Sequence, residues 1–182
     1  RRRGLDDKTI VRFGLGYAPD DGQALYQYLR DKGYNRQELD ASGLFKRSQS
    51  GRVYCLFWRR VMTPIFDLRG NIIAFGGRVL DDSKPKYVNS PETLVYHKSG
   101  TVFALQIAKR SASRRFVLCE GYMDVISMHQ AGIDTAVCAC GTALTPDQVR
   151  LISEYADEVI LSYDSDEAGQ KATLRSLEMF RN

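Results

Sequence analysis

The run Phe116-Val117-Leu118-Cys119-Glu120-Gly121, answered further on by Val159-Ile160-Leu161-Ser162-Tyr163-Asp164-Ser165-Asp166, decides the fold. Each is a short apolar stretch without polar alternation, the pattern of a strand buried on both faces. Each ends on acid where a helix should begin. Working outward, the pattern repeats: strand 115–119, helix 122–131, strand 135–139, helix 146–155, strand 158–163, helix 167–180. Repeated strand–helix alternation implies right-handed crossovers and a parallel sheet with helices on its faces.

Upstream the grammar differs. Leu25, Tyr28 and Leu29 share a helix-spaced face, with Gly33 placed to end that helix. Residues 61–67 and 72–75 read as strands around Leu68-Arg69-Gly70-Asn71, a hairpin turn. Residues 81–100 read as a long polar loop, 102–110 as a helix, and Ser111-Ala112-Ser113 as a linker. The chain therefore divides into a mixed α/β subdomain, 1–114, and a strand–helix domain, 115–182. Charge follows the same line. Residues 1–114 hold 21 Lys and Arg against 11 Asp and Glu, a net of +10, while residues 115–182 hold 5 against 11, a net of −6. A basic part beside an acidic one suits a polyanion held by the first and metal ions by the second, against a plain alternative of solvated surface charge.

Composition excludes several classes. Apolar residues make up 43% and charged residues 26%, ordinary for a soluble globular protein. No apolar run is long enough to cross a membrane, and no signal peptide opens the chain, so a cytoplasmic setting is expected. The first residue is Arg1 rather than Met, as in a trimmed chain. Cys55, Cys119, Cys138 and Cys140 lack CxxC spacing and read as reduced core thiols, not a zinc site. His97 and His129 are too scattered for a metal centre.

The acids carry the chemistry. In open α/β sheets ligands bind outside the carboxyl ends of the strands, where Glu120, Asp164 and Asp166 fall. Carboxylates from neighbouring strand tips can share one crevice and take a hard divalent cation, which Mg²⁺ does with one or two carboxylates plus substrate phosphates. The bland alternative is that these acids cap the following helices. For Gly141-Thr142 the alternatives are a phosphate cradle before helix 146–155 and a tight turn that needs glycine.

These motifs carry a resemblance. Glu120-Gly121-Tyr122-Met123-Asp124, Gly141-Thr142-Ala143-Leu144-Thr145 and Asp164-Ser165-Asp166-Glu167-Ala168-Gly169 resemble the TOPRIM domain of bacterial primases, topoisomerases and some nucleases. Arg60-Val61-Met62-Thr63-Pro64-Ile65, Phe75-Gly76-Gly77-Arg78 and Pro85-Lys86-Tyr87-Val88-Asn89-Ser90-Pro91-Glu92-Thr93 resemble the bacterial replicative primases of the DnaG type. Phe13 through Pro19 resembles the start of their RNA polymerase core. The resemblance implies an α/β fold: a basic mixed α/β N-terminal subdomain followed by a truncated TOPRIM domain, a parallel sheet flanked by helices. It implies an enzyme that makes short RNA primers on single-stranded DNA from ribonucleoside triphosphates. The family's zinc-binding module, the last part of its TOPRIM fold and its helicase-binding C-terminal domain have no counterpart here. Zn²⁺ and the replicative helicase therefore belong to the full-length protein, and little primer synthesis is expected from residues 1–182 alone. Competing readings are another TOPRIM enzyme, a topoisomerase or nuclease, and a catalytically silent single-stranded DNA-binding module.

By that resemblance Asp164 and Asp166 are metal ligands for Mg²⁺ or Mn²⁺, Glu120 is a further ligand or the base that receives the hydroxyl proton, and Asp124 is a weaker fourth. Arg60, Arg78, Lys86 and Lys98 are expected to meet phosphates. Tyr87 offers a stacking face beside Lys86, and Asn89 is placed to bond a base or its own loop.

Overall fold

The computed structural model describes residues 4–141 and 143–181. Arg1-Arg2-Arg3 and Thr142 lie outside them. Elements follow in the order α1 (Asp7–Arg12), β1 (Gly16–Ala18), α2 (Ala24–Asp31), α3 (Arg36–Ala41), β2 (Phe45–Arg47), β3 (Val53–Cys55), β4 (Arg60–Phe66), β5 (Ile72–Val79) and β6 (Tyr87–Asn89). A 3-10 turn, Lys98–Gly100, leads to β7 (Val102–Phe103), α4 (Leu105–Ala108), β8 (Arg115–Cys119), α5 (Tyr122–Gln130), β9 (Ala136–Ala139), α6 (Pro146–Ser153), β10 (Glu158–Ser162) and α7 (Glu167–Arg181).

By packing the chain forms two compact units. Among the described residues, one comprises 4–13, 65–72, 98–141 and 143–181; the other comprises 14–64 and 73–97. This division differs from the change of pattern at 114/115, because residues 98–114 and the hairpin tip 65–72 pack with the C-terminal sheet.

In the C-terminal unit the sheet order is β10-β8-β9-β7. β8 runs parallel to both β10 and β9, with Cys119 opposite Ser162 and Cys138. β7 pairs antiparallel with β9, Phe103 opposite Cys138, so the sheet is mixed at one edge. The helix expected over 102–110 is thus a two-residue strand and one short helix, divided at Ala104, whose φ is 64°. Phe116, Leu118, Val137 and Ile152 are buried in one core, with Leu68, Val159 and Leu161 packed against it. Burying each such side chain contributes about 1.5–3 kcal/mol. All four cysteines are free and buried.

The other unit carries a sheet of order β1-β4-β5-β6 and a β2-β3 hairpin. Its core gathers Leu39, Phe45, Cys55 and Phe57. The β4–β5 turn closes as its residues dictate: Asp67 Oδ1 accepts from the N–H groups of Arg69 and Asn71, both at 2.8 Å, and Gly70 has φ +94°. Gly33, with φ +93°, ends α2, and the next amide, of Tyr34, donates to the Leu29 carbonyl at 3.1 Å. The polar loop expected over 81–100 contains a strand, β6, which adds to the edge of β5 with Asn89 opposite Gly76 and Tyr87 opposite Arg78.

Candidate functional site

The parallel pairing of β8 with β10 sets Glu120 and Asp164 at the carboxyl ends of adjacent strands. Glu120 Oε2 accepts a hydrogen bond from the Asp164 N–H at 3.0 Å. Both side chains, and that of Asp166, are exposed. Asp166 Oδ1 accepts from the Gly169 N–H at 2.8 Å, the capping bond of α7. Asp124 Oδ2 accepts from the Gly121 N–H at 3.1 Å and closes the first turn of α5. The capping alternative and the crevice alternative thus both describe these acids: Asp166 and Asp124 cap, whereas Glu120 reaches across to the neighbouring strand tip.

Two residues to which the motif reading assigned no role hold this corner. A Cβ on Gly169 would lie 2.0 Å from the Asp164 carbonyl oxygen, so only glycine lets α7 close against the acidic loop. The motif spacing quoted Gly169 without giving a reason for it. Tyr163 Oη lies 3.1 Å from Ser176 Oγ, tying the end of β10 to the middle of α7. Beneath Glu120, burial pushes the Cys119 thiol up to about 11, with the negative field of Asp124 adding to it. Burial likewise raises Cys138, so these thiols are inert packing groups.

As a metal site the set fits by donor type: every candidate is a carboxylate oxygen, the ligand Mg²⁺ prefers. Glu120 and Asp164 adjoin, which satisfies the one or two protein carboxylates such a cation needs beside phosphate. Among the described residues, no group of three His, Cys, Asp or Glu converges on one point.

Of Gly141-Thr142, only Gly141 lies among the described residues. Gly141 has φ +136°, a conformation L side chains rarely adopt. The α6 N-terminus is closed by its own cap, Thr145 Oγ1 accepting from the Gln148 N–H at 3.2 Å. Thr145 Oγ1 also donates to the Ser99 carbonyl at 2.5 Å, and Gln148 Nε2 donates to the carbonyls of Lys98 and Thr101 at 2.7 and 2.8 Å. Lys98 therefore sits beside α6, in the C-terminal unit, and not in the unit that holds the other candidate cations.

In that other unit Arg60 lies on β4, Arg78 on β5, and Tyr87 and Asn89 on β6, with Lys86 just before it. Arg78 Nε donates to Tyr87 Oη at 3.0 Å, and its guanidinium lies 5.5 Å from the ring centroid. Lys86 is exposed and Tyr87 half-exposed. Arg60 differs: it is 4% exposed, and its guanidinium donates to the carbonyls of Pro85 and Lys86 at 2.8 and 3.3 Å. Asn89 is partly buried, its backbone engaged in the β5–β6 ladder.

A model described as "DNA primase catalytic core, N-terminal domain" matches residues 1–109, and a Toprim-like model matches 117–182. The chain belongs to the DNA primase catalytic core family. The DNA primase of Clostridium acetobutylicum is 49% identical over 180 residues, 98% of this chain and 30% of that protein. The Escherichia coli primase catalytic core superposes with a TM-score of 0.90 at 41% identity, covering 98% of this chain and 57% of that one. A DnaG primase catalytic domain bound to single-stranded DNA gives 0.89 at 40%, covering 98% and 58%. The chain thus spans about a third of the length of the curated relatives it matches. Topoisomerases and nucleases, the other TOPRIM enzymes, are not favoured by these matches.

Proposed function

We propose that the protein acts as a DNA-dependent RNA polymerase that makes short RNA primers on single-stranded DNA during replication. The observation that carries this reading is the bond from Asp164 N–H to Glu120, which sets two carboxylates at the ends of adjacent parallel strands in a chain of the primase family. The reaction is the attack of a 3′-hydroxyl on the α-phosphate of a ribonucleoside triphosphate, with loss of pyrophosphate.

Asp164 and Asp166 are the proposed ligands of Mg²⁺ or Mn²⁺, and Asp124 is a weaker member of the set. A bound divalent ion at such a site activates the hydroxyl and neutralises the leaving group. Glu120 either completes the ligand set or takes the hydroxyl proton. Its bond to the Asp164 amide fixes its carboxylate in both cases. Arg78 and Lys86 would meet template or nucleotide phosphates, with Tyr87 as stacking face and Asn89 beside it. The likeness to a catalytic domain bound to single-stranded DNA supports this placement. Lys98, in the unit that carries the acids, would meet nucleotide phosphates. The replicative helicase is the proposed partner of the full-length protein in a bacterial cytoplasm. No helix among the described residues is long and apolar enough to cross a membrane.

The test is template-directed incorporation of ribonucleotides on single-stranded DNA by the full-length protein. Oligoribonucleotides are expected from the wild type, with loss of at least about a hundredfold in Asp166→Asn or Glu120→Gln, the scale of losing a transition-state contact. No product from the wild type, or full activity in both variants, overturns the reading.

A further inference from the structure

Arg60 is a buried guanidinium that lacks the partner such a group ordinarily has. It is 4% exposed, yet among the described residues no carboxylate lies within ion-pair distance, and its Nε has no hydrogen-bond acceptor. Burial lowers its pKa, and the more distant Asp81 only partly offsets this. Unpaired buried charge is costly, and a strand residue kept in this state calls for a reason.

The contacts it does make all go to one short segment. Nη2 donates to the Pro85 carbonyl at 2.8 Å and Nη1 to the Lys86 carbonyl at 3.3 Å. The Lys86 carbonyl also accepts from the Val79 N–H at 3.1 Å, so Arg60 and β5 grip the same peptide. Space for the arginine stem comes from Gly77. A Cβ there would lie 3.0 Å from Arg60 Cδ and 2.8 Å from Phe57 Cδ1. On the outer side Tyr87 is held by Arg78 through the 3.0 Å bond to its hydroxyl. Arg60 thus holds the Pro85-Lys86 backbone, and Arg78 holds the Tyr87 side chain.

We infer that Arg60 is a positioning residue: it touches no nucleic acid and instead clamps the Pro85-Lys86 backbone so that Lys86 and Tyr87 are presented to single-stranded DNA. The inference rests on the proposed reading of Lys86 and Tyr87 as template contacts. It departs from the expectation that Arg60 itself meets a phosphate. The fork geometry is essential, since two carbonyls are held at once, and lysine offers a point charge without a fork.

The experiment measures oligo(dT) binding by the chain over a range of salt, together with amide exchange. Arg60→Met should weaken binding about tenfold and lower the slope of log K against log salt by about 0.7, the share of one phosphate contact on a single strand. Arg60→Lys should resemble Arg60→Met. A direct phosphate contact would be largely restored by lysine, and that result overturns the proposal. In a background of Lys86→Ala with Tyr87→Ala, Arg60→Met should change binding less than about twofold, because residues acting as one unit are not additive. A further full loss there overturns it. The Val79 amide should exchange faster in both Arg60 variants while the C-terminal sheet is unaffected; unchanged Val79 protection counts against the clamp whatever the binding result. Failure of both variants to fold would make Arg60 a requirement of the fold and overturn presentation as its role. Absence of binding by the wild type defeats the template reading itself and removes the ligand for which Arg60 would position the segment.

Discussion

Replacing Gly169 by alanine separates two physical expectations of opposite sign. As a bare helix substitution, Gly→Ala stabilises by up to about 1 kcal/mol, through propensity. Here the added Cβ would lie 2.0 Å from the Asp164 oxygen, 2.8 Å from its carbonyl carbon and 3.1 Å from its nitrogen. Non-bonded heavy atoms rest at about 3.5 Å, so α7 and the acidic loop must part by more than 1 Å. All three obstructing atoms are backbone, and no rotamer relieves them. Overpacking of this kind costs about 1–3 kcal/mol, at times more. For a chain of this length each kcal/mol moves Tm by about 2–4 °C, so a cost of about 1–3 kcal/mol lowers Tm by about 2–12 °C. Function should suffer more than stability. A displacement of about 1 Å at a reacting centre can lower rate about a hundredfold, and Asp164 lies on the moving loop. Thermal unfolding of Gly169→Ala beside wild type, with primer synthesis by the full-length variant, reads both. A Tm equal to or above wild type with undiminished synthesis would refute the reasoning.

Arg78→Ala and Lys86→Ala should each weaken single-stranded DNA binding and reduce its salt slope by about 0.7; wild-type binding by both at low and high salt would remove these residues from the interface. His129 supplies a pH prediction. It is buried, its Nε2 lies 2.9 Å from the Ala136 carbonyl and its Nδ1 has no partner among the described residues. Burial lowers its pKa from 6.5, with the nearby Arg12 charge adding. The unfolded chain therefore takes up a proton near pH 6.5 that the folded chain refuses, so this contribution is present above 6.5 and lost as pH falls toward the folded value. Tm should drop across this window more in wild type than in His129→Gln; identical pH profiles would contradict it.

The C-terminal alternation was legible because Phe116–Cys119 and Val159–Leu161 are continuous apolar runs, which announce parallel strands; β8 is buried as expected, whereas β10 lies at the sheet edge with Ile160 exposed. β6 and β7 were not legible, being three and two residues long and added by edge pairing to β5 and to β9. Ala104 broke the expected helix by adopting a left-handed φ that no sequence pattern signals for alanine. Arg60 was expected to meet a phosphate. Only the missing Cβ of Gly77, folded against it from β5, makes room to bury it. The acids were legible as strand-tip residues. Which of them reach across strands and which cap helices depended on α7 closing over Gly169, a contact invisible in spacing.

The central claim is that the carboxylates ending β8 and β10 form one divalent-metal centre. Mn²⁺ titration of the full-length protein, followed by electron paramagnetic resonance, tests it most directly. The account predicts saturable binding by the wild type and at least about a tenfold weaker affinity in folded Asp164→Ala, since even partners outside the ligand set cost 10–100-fold. Mn²⁺ affinity unchanged by Asp164→Ala would contradict it.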